Sequence, residues 1–564
     1  MNRWSALAVL LAIAGALALR VSKLDSRPLH NDEAVNAVKV SELWQHGRYK
    51  YDPDEYHGPT LHYATLPFLW LSSARNSEEL KDSTLRLAPV AFGVGLILLL
   101  LLFADGLGRQ AVVWAAVFTA ISPAMVFYSR YFIHEMLLLF FTVLTLGAGW
   151  RYIQARALRR VLSLSTQRGE GRGEGWEGNE ALETQESQRR HHPSPSIPLP
   201  AEGRGKSEAG WAVLIGVGLG LMLTTKETFV LTLAAMGLAG IATVWWTMPR
   251  GSRVQSLLSL WNWQHATLAF GAAFIIWLLL FSSFFTNFAG PLDSVRTYLP
   301  WLKRAAEHSP HIHPWNFYLE RLAWYHPAKG PAWSEGLILV LAAVGVLVSF
   351  AGKKPLHRFL ALYTIILTTI YTLVPYKTPW CLLSFFHGMI LLAGIGAAAL
   401  VEFFQARPLK VAVVMVLLGL AGQLTWQAWR ASFDYSADRR NPYVYAQTTP
   451  NLLELVQRTE GIARAAPTGH ETVVKIIAPE SDYWPLPWYL RRFKNLGWYE
   501  KLPDDPFAPI VLVASKLDAR LDEKSDKKWL MVGLTELRPG KFFEQYVELE
   551  LWKKYVATLP RERD

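Results

Sequence analysis

Long apolar runs broken by short charged junctions dominate the first 431 residues, and a shorter, mixed pattern follows. An apolar run of about 20 residues crosses a bilayer as a helix, which satisfies its own backbone in lipid. About eleven transmembrane helices are predicted on that basis, over 4–20, 84–104, 111–128, 132–150, 210–225, 228–248, 266–286, 333–351, 359–375, 380–403 and 410–430. A polar loop, 20–83, separates the first two. Alternate junctions are basic: Arg109, then Arg151 to Arg160, Arg250 and Arg253, Lys353 to Arg358, and Arg407 with Lys410. Positive junctions stay in the cytoplasm. The N-terminus is then inside, and the 20–83 loop, the turns at 129–131, 225–227 and 376–379, the 287–332 segment and everything after 431 are outside.

Residues 163–208 interrupt the pattern with a Gly/Glu/Arg repeat from Arg168 and a Pro-rich run after His191 and His192. Such a composition buries no core, which predicts a disordered cytoplasmic insertion, with the His pair part of a linker rather than a metal site. Beyond the last span, Asn451–Ala465 reads as an amphipathic helix, and Thr472–Ile477, Ile510–Ala514 and Tyr546–Tyr555 read as strands. Residues 432–564 thus form a small extracytoplasmic α/β domain behind a polytopic α-helical membrane domain, 1–431. Between the strands, Asp482 to Arg491 is rich in aromatics and prolines, suited to packing at the membrane interface or to stacking on a sugar.

Composition agrees with this division. A chain that is 51% hydrophobic with 24 Trp is no ordinary soluble enzyme. Its net charge of +11 is accounted for by cytoplasmic junctions without invoking nucleic acid. The single cysteine, Cys381, sits in an apolar run as a packing residue and leaves no internal disulfide or Cys-based metal cluster. The first run is followed directly by Arg20 and Lys23 with no small-x-small cleavage site, so it reads as a retained helix.

Uncommon polar groups then converge on the outer face. The first loop carries His30, Asp32, Glu33 and His57, and later turns carry Arg130 with Glu135, Lys226 with Glu227, and Tyr376-Lys377 before Trp380. Asn31 as a helix N-cap, with Asp32 and Glu33 in the first turn, is the local reading. Arg130 pairing with Glu135, and Lys226 with Glu227, are others. Outer junctions are ordinarily poor in Lys and Arg, however, so cations retained there suggest an anionic ligand such as a lipid-linked phosphate. Acids beside cations suit sugar transfer from a polyprenyl phosphate. Cations from Arg130, Lys226 and Lys377 absorb charge on the leaving group, and Asp32 takes the acceptor's proton.

The motifs Asn31-Asp32-Glu33, Ser129-Arg130-Tyr131 with Glu135, Thr225-Lys226-Glu227 and Tyr376-Lys377-Thr378-Pro379-Trp380 carry a resemblance. With them, the stretch from Trp4 to about Ala431 resembles GT-C membrane glycosyltransferases, in the branch of protein O-mannosyltransferases and lipid A aminoarabinose transferases (family 39-like). It is most similar there to flippase-activity-associated bacterial and archaeal relatives, as is Tyr483-Trp-Pro-Leu-Pro-Trp-Tyr. The resemblance implies Asp32 as catalytic base and Glu33 as an acceptor or metal partner. It implies Arg130, Lys226 and Lys377 as donor-phosphate ligands. His57, Glu135, Tyr376 and Trp380 are the candidate acceptor or sugar contacts. No tightly bound cofactor is expected; a divalent Mg or Mn would take Asp32 and Glu135, although no tight spacing links them. The expected partners are a polyprenyl-phosphate sugar, an extracytoplasmic hydroxyl acceptor and the bilayer of the plasma (inner) membrane. Two features depart from better-known members: the 163–208 insertion has no obvious counterpart, and the tail lacks a clear sugar-recognition motif. The alternatives are a translocase of lipid-linked sugars, or an accessory to one, which needs polar residues along a path through the membrane, and a membrane-anchored binding protein acting through its outer domain.

Overall fold

The computed structural model describes residues 3–54, 57–170, 201–299 and 311–560. Among them, eight helices are long and apolar enough to cross a membrane: Arg3–Val21 (α1), Asp82–Leu107, Glu135–Arg159, Phe229–Thr247, Trp263–Phe281, Pro355–Leu373, Pro379–Phe403 and Arg407–Ser432. Arg109–Ile121 and Pro123–Ser129 make a ninth if counted as one span bent by 57°. Glu208–Leu223 and Gly336–Ala351 are shorter apolar helices. Each predicted segment is therefore helical, and the chain is a multi-pass membrane protein. The bend is written in Ser122-Pro123: proline starts the second helix without needing its missing N–H, and the Ser122 hydroxyl caps Met125 N at 3.3 Å.

Pro379–Phe403 is the axis of the bundle, with 83% of its apolar window buried, against 6% for the lipid-facing Trp263–Phe281. Lipid supplies no hydrophobic drive between helices, so close backbone approach through small residues has to hold them. A Cβ on Gly345 would stand 2.0 Å from the Leu392 carbonyl oxygen, and one on Gly396 2.0 Å from that of Leu341. Glycine at both positions lets Gly336–Ala351 lie against the axis. Arg20 closes the end of α1 by donating to the carbonyls of Thr119 (2.8 Å) and Ala120 (2.7 Å).

The two ends of the bundle are chemically distinct. Ser5, Arg109, Lys354, His357 and Glu402 line one cavity of about 540 Å³, so these junctions share one end. The segments around 20–33, 130–135, 224–228 and 376–380 meet at the other. The helix that precedes the predicted insertion runs on to Glu170 and the next begins at Ala201. The remainder of 163–208 lies outside the described residues.

The first loop folds into α2 (Asn31–His46) and α3 (Thr60–Trp70) before α4 (Asp82–Leu99) begins the second span. The C-terminal domain is a five-stranded sheet in the order β2-β1-β3-β5-β4, comprising β1 (Val474–Ile477), β2 (Leu496–Tyr499), β3 (Ile510–Ala514), β4 (Trp529–Arg538) and β5 (Lys541–Glu548). β2, β1 and β3 are parallel, with Val474 opposite Leu496 and Ile510; β5 pairs antiparallel with β3 and β4. All five residues of β3 are buried, as a central strand covered on both faces requires. Asn451–Ala465 is the expected helix, and it buries Leu452, Leu455 and Ile462 against β1 and β3 residues. The predicted strand over Tyr546–Tyr555 is corrected. The strand ends at Glu548, and Leu549–Thr558 is a helix that turns Leu551 into the domain. Apolar Leu551, Trp552 and Tyr555 fit helical spacing better than alternation.

Candidate functional site

The two adjacent carboxylates of the first loop diverge. The N-cap of α2 is His30 rather than Asn31: its Nδ1 accepts from Asp32 N at 3.1 Å, and Glu33 Oε2 accepts from His30 N at 3.0 Å. That reciprocal pair turns Glu33 inward, fully buried. There it accepts from Arg86 Nε (2.8 Å) and Nη2 (2.9 Å) and from Phe132 N (2.9 Å), with Arg27 Nη2 at 3.5 Å. Burial works against its ionisation, but Arg27 and Arg86 outweigh it and hold the carboxyl at about 2. Glu33 thus ties the first loop to α4 and to the turn before the Glu135 helix. Its oxygens, which were expected to meet an acceptor or a metal, are held by that framework in the free protein. Asp32, one residue earlier, keeps a side chain 51% exposed, 3.8 Å from His30 Nδ1. It is the carboxylate left open to a ligand.

Around Asp32 stands a wall of rings. His30 lies 5.5 Å from Tyr131 and 5.9 Å from Trp380, and Trp380 lies 5.9 Å from Tyr445, between ring centroids. Tyr445 gives its carbonyl to His30 Nε2 (3.1 Å) and its hydroxyl to His311 Nδ1 (2.7 Å). His311 packs on Tyr376 at 4.9 Å. Trp380 thereby stands beside His30, and Tyr376 joins the same wall through His311. Sequence patterns did not single out His311 or Tyr445, which enter the wall only through tertiary folding.

The cations are partnered. Arg130 donates to the carbonyls of Leu19 (3.1 Å), Arg20 (2.9 Å), Ser22 (2.6 Å) and Lys23 (3.1 Å), and its guanidinium sits 4.4 Å from the Phe433 ring centre. Burial lowers its pKa to about 9, with the neighbouring arginines adding to the effect. In the free protein the predicted phosphate ligand caps the C-terminal end of α1, with its two Nη groups on four carbonyls at the end of that helix and just beyond. The predicted pairing with Glu135 is replaced too, since Glu135 takes the ammonium of Lys226, both groups being buried. Burial disfavours that ammonium, but Glu135 overrides it and raises the Lys226 pKa. Glu227, expected beside Lys226, pairs with His57 at 2.8 Å. His57 and Glu135 thus orient the turn at 224–228. Lys377 gives its Nζ to the carbonyls of His313 (3.1 Å) and Val374 (2.5 Å) and is buried, which lowers its pKa.

Among the described residues, no group of three His, Cys, Asp or Glu side chains stands close enough to hold a metal. Of the two residues expected at a metal, Asp32 is half exposed and Glu135 holds the Lys226 ammonium. Arg27 and Arg86 were missed as site residues. An arginine five residues into an apolar helix, as Arg86 is in α4, was the available signal.

The aromatic stretch of the C-terminal domain packs, as the first of its two readings had it, but onto the first loop. Trp488 Nε1 and the Tyr489 hydroxyl donate to the two oxygens of Asp82, at 2.8 and 2.6 Å, and the same hydroxyl accepts from Leu29 N at 2.7 Å. Arg491 donates to the carbonyls of Ser77 (2.8 Å) and Leu80 (2.6 Å). The domain roofs the loop that carries Asp32.

Residues 60–166 match the family model described as dolichyl-phosphate-mannose-protein mannosyltransferase. Among solved structures, ArnT from Cupriavidus metallidurans in the apo state is similar over 96% of this chain and 97% of its own, at 14% identity and a TM-score of 0.58. The same protein bound to undecaprenyl phosphate matches over 96% and 98%, at 15% identity and 0.54. The archaeal oligosaccharyltransferase AglB from Archaeoglobus fulgidus, in complex with an inhibitory peptide and a dolichol-phosphate, matches over 92% of this chain and 70% of its own, at 13% identity and 0.52. No curated protein sequence matches significantly. At these identities the likeness is one of fold, and the chain has the fold of the GT-C membrane glycosyltransferases.

Proposed function

We propose that this protein is an integral-membrane glycosyltransferase that moves a sugar from a polyprenyl-phosphate donor to an extracytoplasmic hydroxyl, with Asp32 as general base. One observation carries the reading. Of two adjacent carboxylates at the outer face, Glu33 is buried and neutralised by two arginines, and Asp32 is left open under a ring-lined wall. The mannosyltransferase family match at 60–166 and the undecaprenyl phosphate held by ArnT support the donor class.

In the reaction, the acceptor oxygen attacks the sugar's anomeric carbon, the bond from that carbon to the phosphate oxygen breaks, and polyprenyl phosphate leaves. Asp32 receives the acceptor's proton, a contribution of about 10²–10⁴ in rate. Lys377 meets the phosphate, which exchanges for the two carbonyls it holds in the free protein, and Lys226 adds its charge while it stays paired with Glu135. An anion with several acceptor oxygens is a stronger partner for an ammonium than a neutral carbonyl. Trp380, Tyr376 and His311 supply faces and edges on which a sugar ring stacks. The protein sits in the plasma membrane with its N-terminus inside, since the basic junctions gather at the end opposite Asp32. The test is transfer of labelled sugar by the purified protein in lipid nanodiscs, from a panel of synthetic polyprenyl-phosphate sugars to cell-envelope extract. A labelled product names the acceptor. Donor binding without transfer, for every donor, refutes the enzyme and leaves a translocase.

A further inference from the structure

Arg538 carries a contact of the C-terminal domain to the side chain of Asn31 in the first-loop motif. Arg538, the last residue of β4, has a side chain only 15% exposed. Its Nη2 donates to the Asp482 carbonyl at 3.2 Å and lies 3.5 Å from the Asp482 carboxylate, which Lys516 and Lys541 also hold, each at 2.8 Å. Its other arm points to the membrane domain. With the Asn31 amide turned so that its nitrogen donates to the Trp484 carbonyl (3.1 Å), its oxygen accepts from Arg538 Nη1 at 2.6 Å. Asn31 is the first residue of α2, directly before Asp32.

We infer that Arg538 is a positioning residue for the proposed transfer: by pinning Asn31 from across the domain boundary it fixes the first turn of α2, and with it the direction of Asp32. The inference rests on the reading of Asp32 as base. Asp32 itself is half exposed, with its carboxylate 3.8 Å from His30 Nδ1. Its orientation must therefore come from its neighbours. Glu33 anchors one side through Arg86, and Asn31 anchors the other through Arg538 and Trp484. Only a planar guanidinium spans Asn31 and Asp482 at once; an ammonium of similar reach makes one of these contacts well. Burial works to lower the Arg538 pKa, and the charges of Asp482 and Asp32 work to raise it, so the cation sits in the field of the base. Docking alone does not require it, because Trp488, Tyr489 and Arg491 already fasten the domain to Asp82, Ser77 and Leu80. The sheet domain thereby completes the site and makes activity depend on its being seated.

The experiment compares wild type, Asp32→Asn, Arg538→Gln, Arg538→Lys and Arg491→Ala in nanodiscs, reading kcat and donor KM separately and the seating of the domain by limited proteolysis. A misplaced reacting group costs up to about 10²-fold. Arg538→Gln is expected to lower kcat at least about 10-fold with donor KM within about twofold, Arg538→Lys to regain part of it, and Arg491→Ala to keep kcat within about twofold. Should Arg538→Gln be protease-sensitive, the Lys variant with its domain seated carries the test: kcat between that of Gln and wild type supports the inference. If Arg538→Gln and Arg491→Ala lower kcat alike and Lys rescues nothing, Arg538 is only an anchor and the inference fails. If Asp32→Asn is inactive while Arg538→Gln is fully active, the inference fails and the proposed function stands. If Asp32→Asn is fully active, the base assignment falls and this inference with it.

Discussion

Replacing Glu33 by Gln should be among the most destabilising single changes in the first loop. The carboxylate is fully buried and faces Arg86 at 2.8 and 2.9 Å, with Arg27 at 3.5 Å. Gln keeps the shape and one acceptor oxygen, but it takes from two buried guanidiniums the carboxylate that they share. Breaking a buried pair from one side costs about 3–5 kcal/mol. The depressed pKa gives an independent figure: each unit is worth about 1.36 kcal/mol, so lowering the carboxyl from 4.5 to about 2 corresponds to about 3 kcal/mol. No discount for solvent screening applies to a group with no exposed surface. The folded-state pKa lies below the unfolded one, so this stability is complete above about pH 4.5 and is lost as pH falls toward 2. Urea unfolding in detergent micelles at pH 7 should show Glu33→Gln less stable than wild type by about 3 kcal/mol. The difference should shrink as the pH is taken below 4.5. A variant within about 1 kcal/mol of wild type at pH 7 would refute the view of Glu33 as the keystone of the loop.

Two further outcomes follow from the same contacts. Gly58→Ala places a Cβ 2.1 Å from the Thr224 carbonyl oxygen, which Thr60 N (3.1 Å) and the Thr60 hydroxyl (2.7 Å) also bind. The first loop should separate from the 224–228 turn, with transfer activity falling by about 10-fold or more, whereas Gly15→Ala, with open space, should be silent in the same assay. Lys226→Met strands the Glu135 carboxylate in a buried site and should cost about 3–5 kcal/mol in urea unfolding, while adding Glu135→Gln should restore at least about 2 of it.

Much of the architecture was legible because lipid enforces a simple rule: every predicted span from 4–20 to 410–430 is helical, with 111–128 broken by a bend. Ambiguity arose where that rule stops. Tyr546–Tyr555 carries both an alternating and a helical pattern, and only the packing of Leu551 against the domain decided where strand gave way to helix. The outer-face motifs were visible as residues but not as roles. Asp32 and Glu33 are neighbours of the same chemistry, and nothing local says that Arg86, about fifty residues on, will bury one and leave the other open. Arg130 reads as a free cation in a short turn until the carbonyls at the end of α1 are folded against it. His311, Tyr445 and Arg538 come from distant segments, and sequence pattern carries no signal for a meeting made only by tertiary structure.

The most direct measurement is the rate of sugar transfer by Asp32→Asn in nanodiscs, alongside donor binding by the same protein. Asn keeps the volume and removes the base. The account predicts kcat lower by about 10²–10⁴ with donor affinity unchanged. Transfer at the wild-type rate would contradict it.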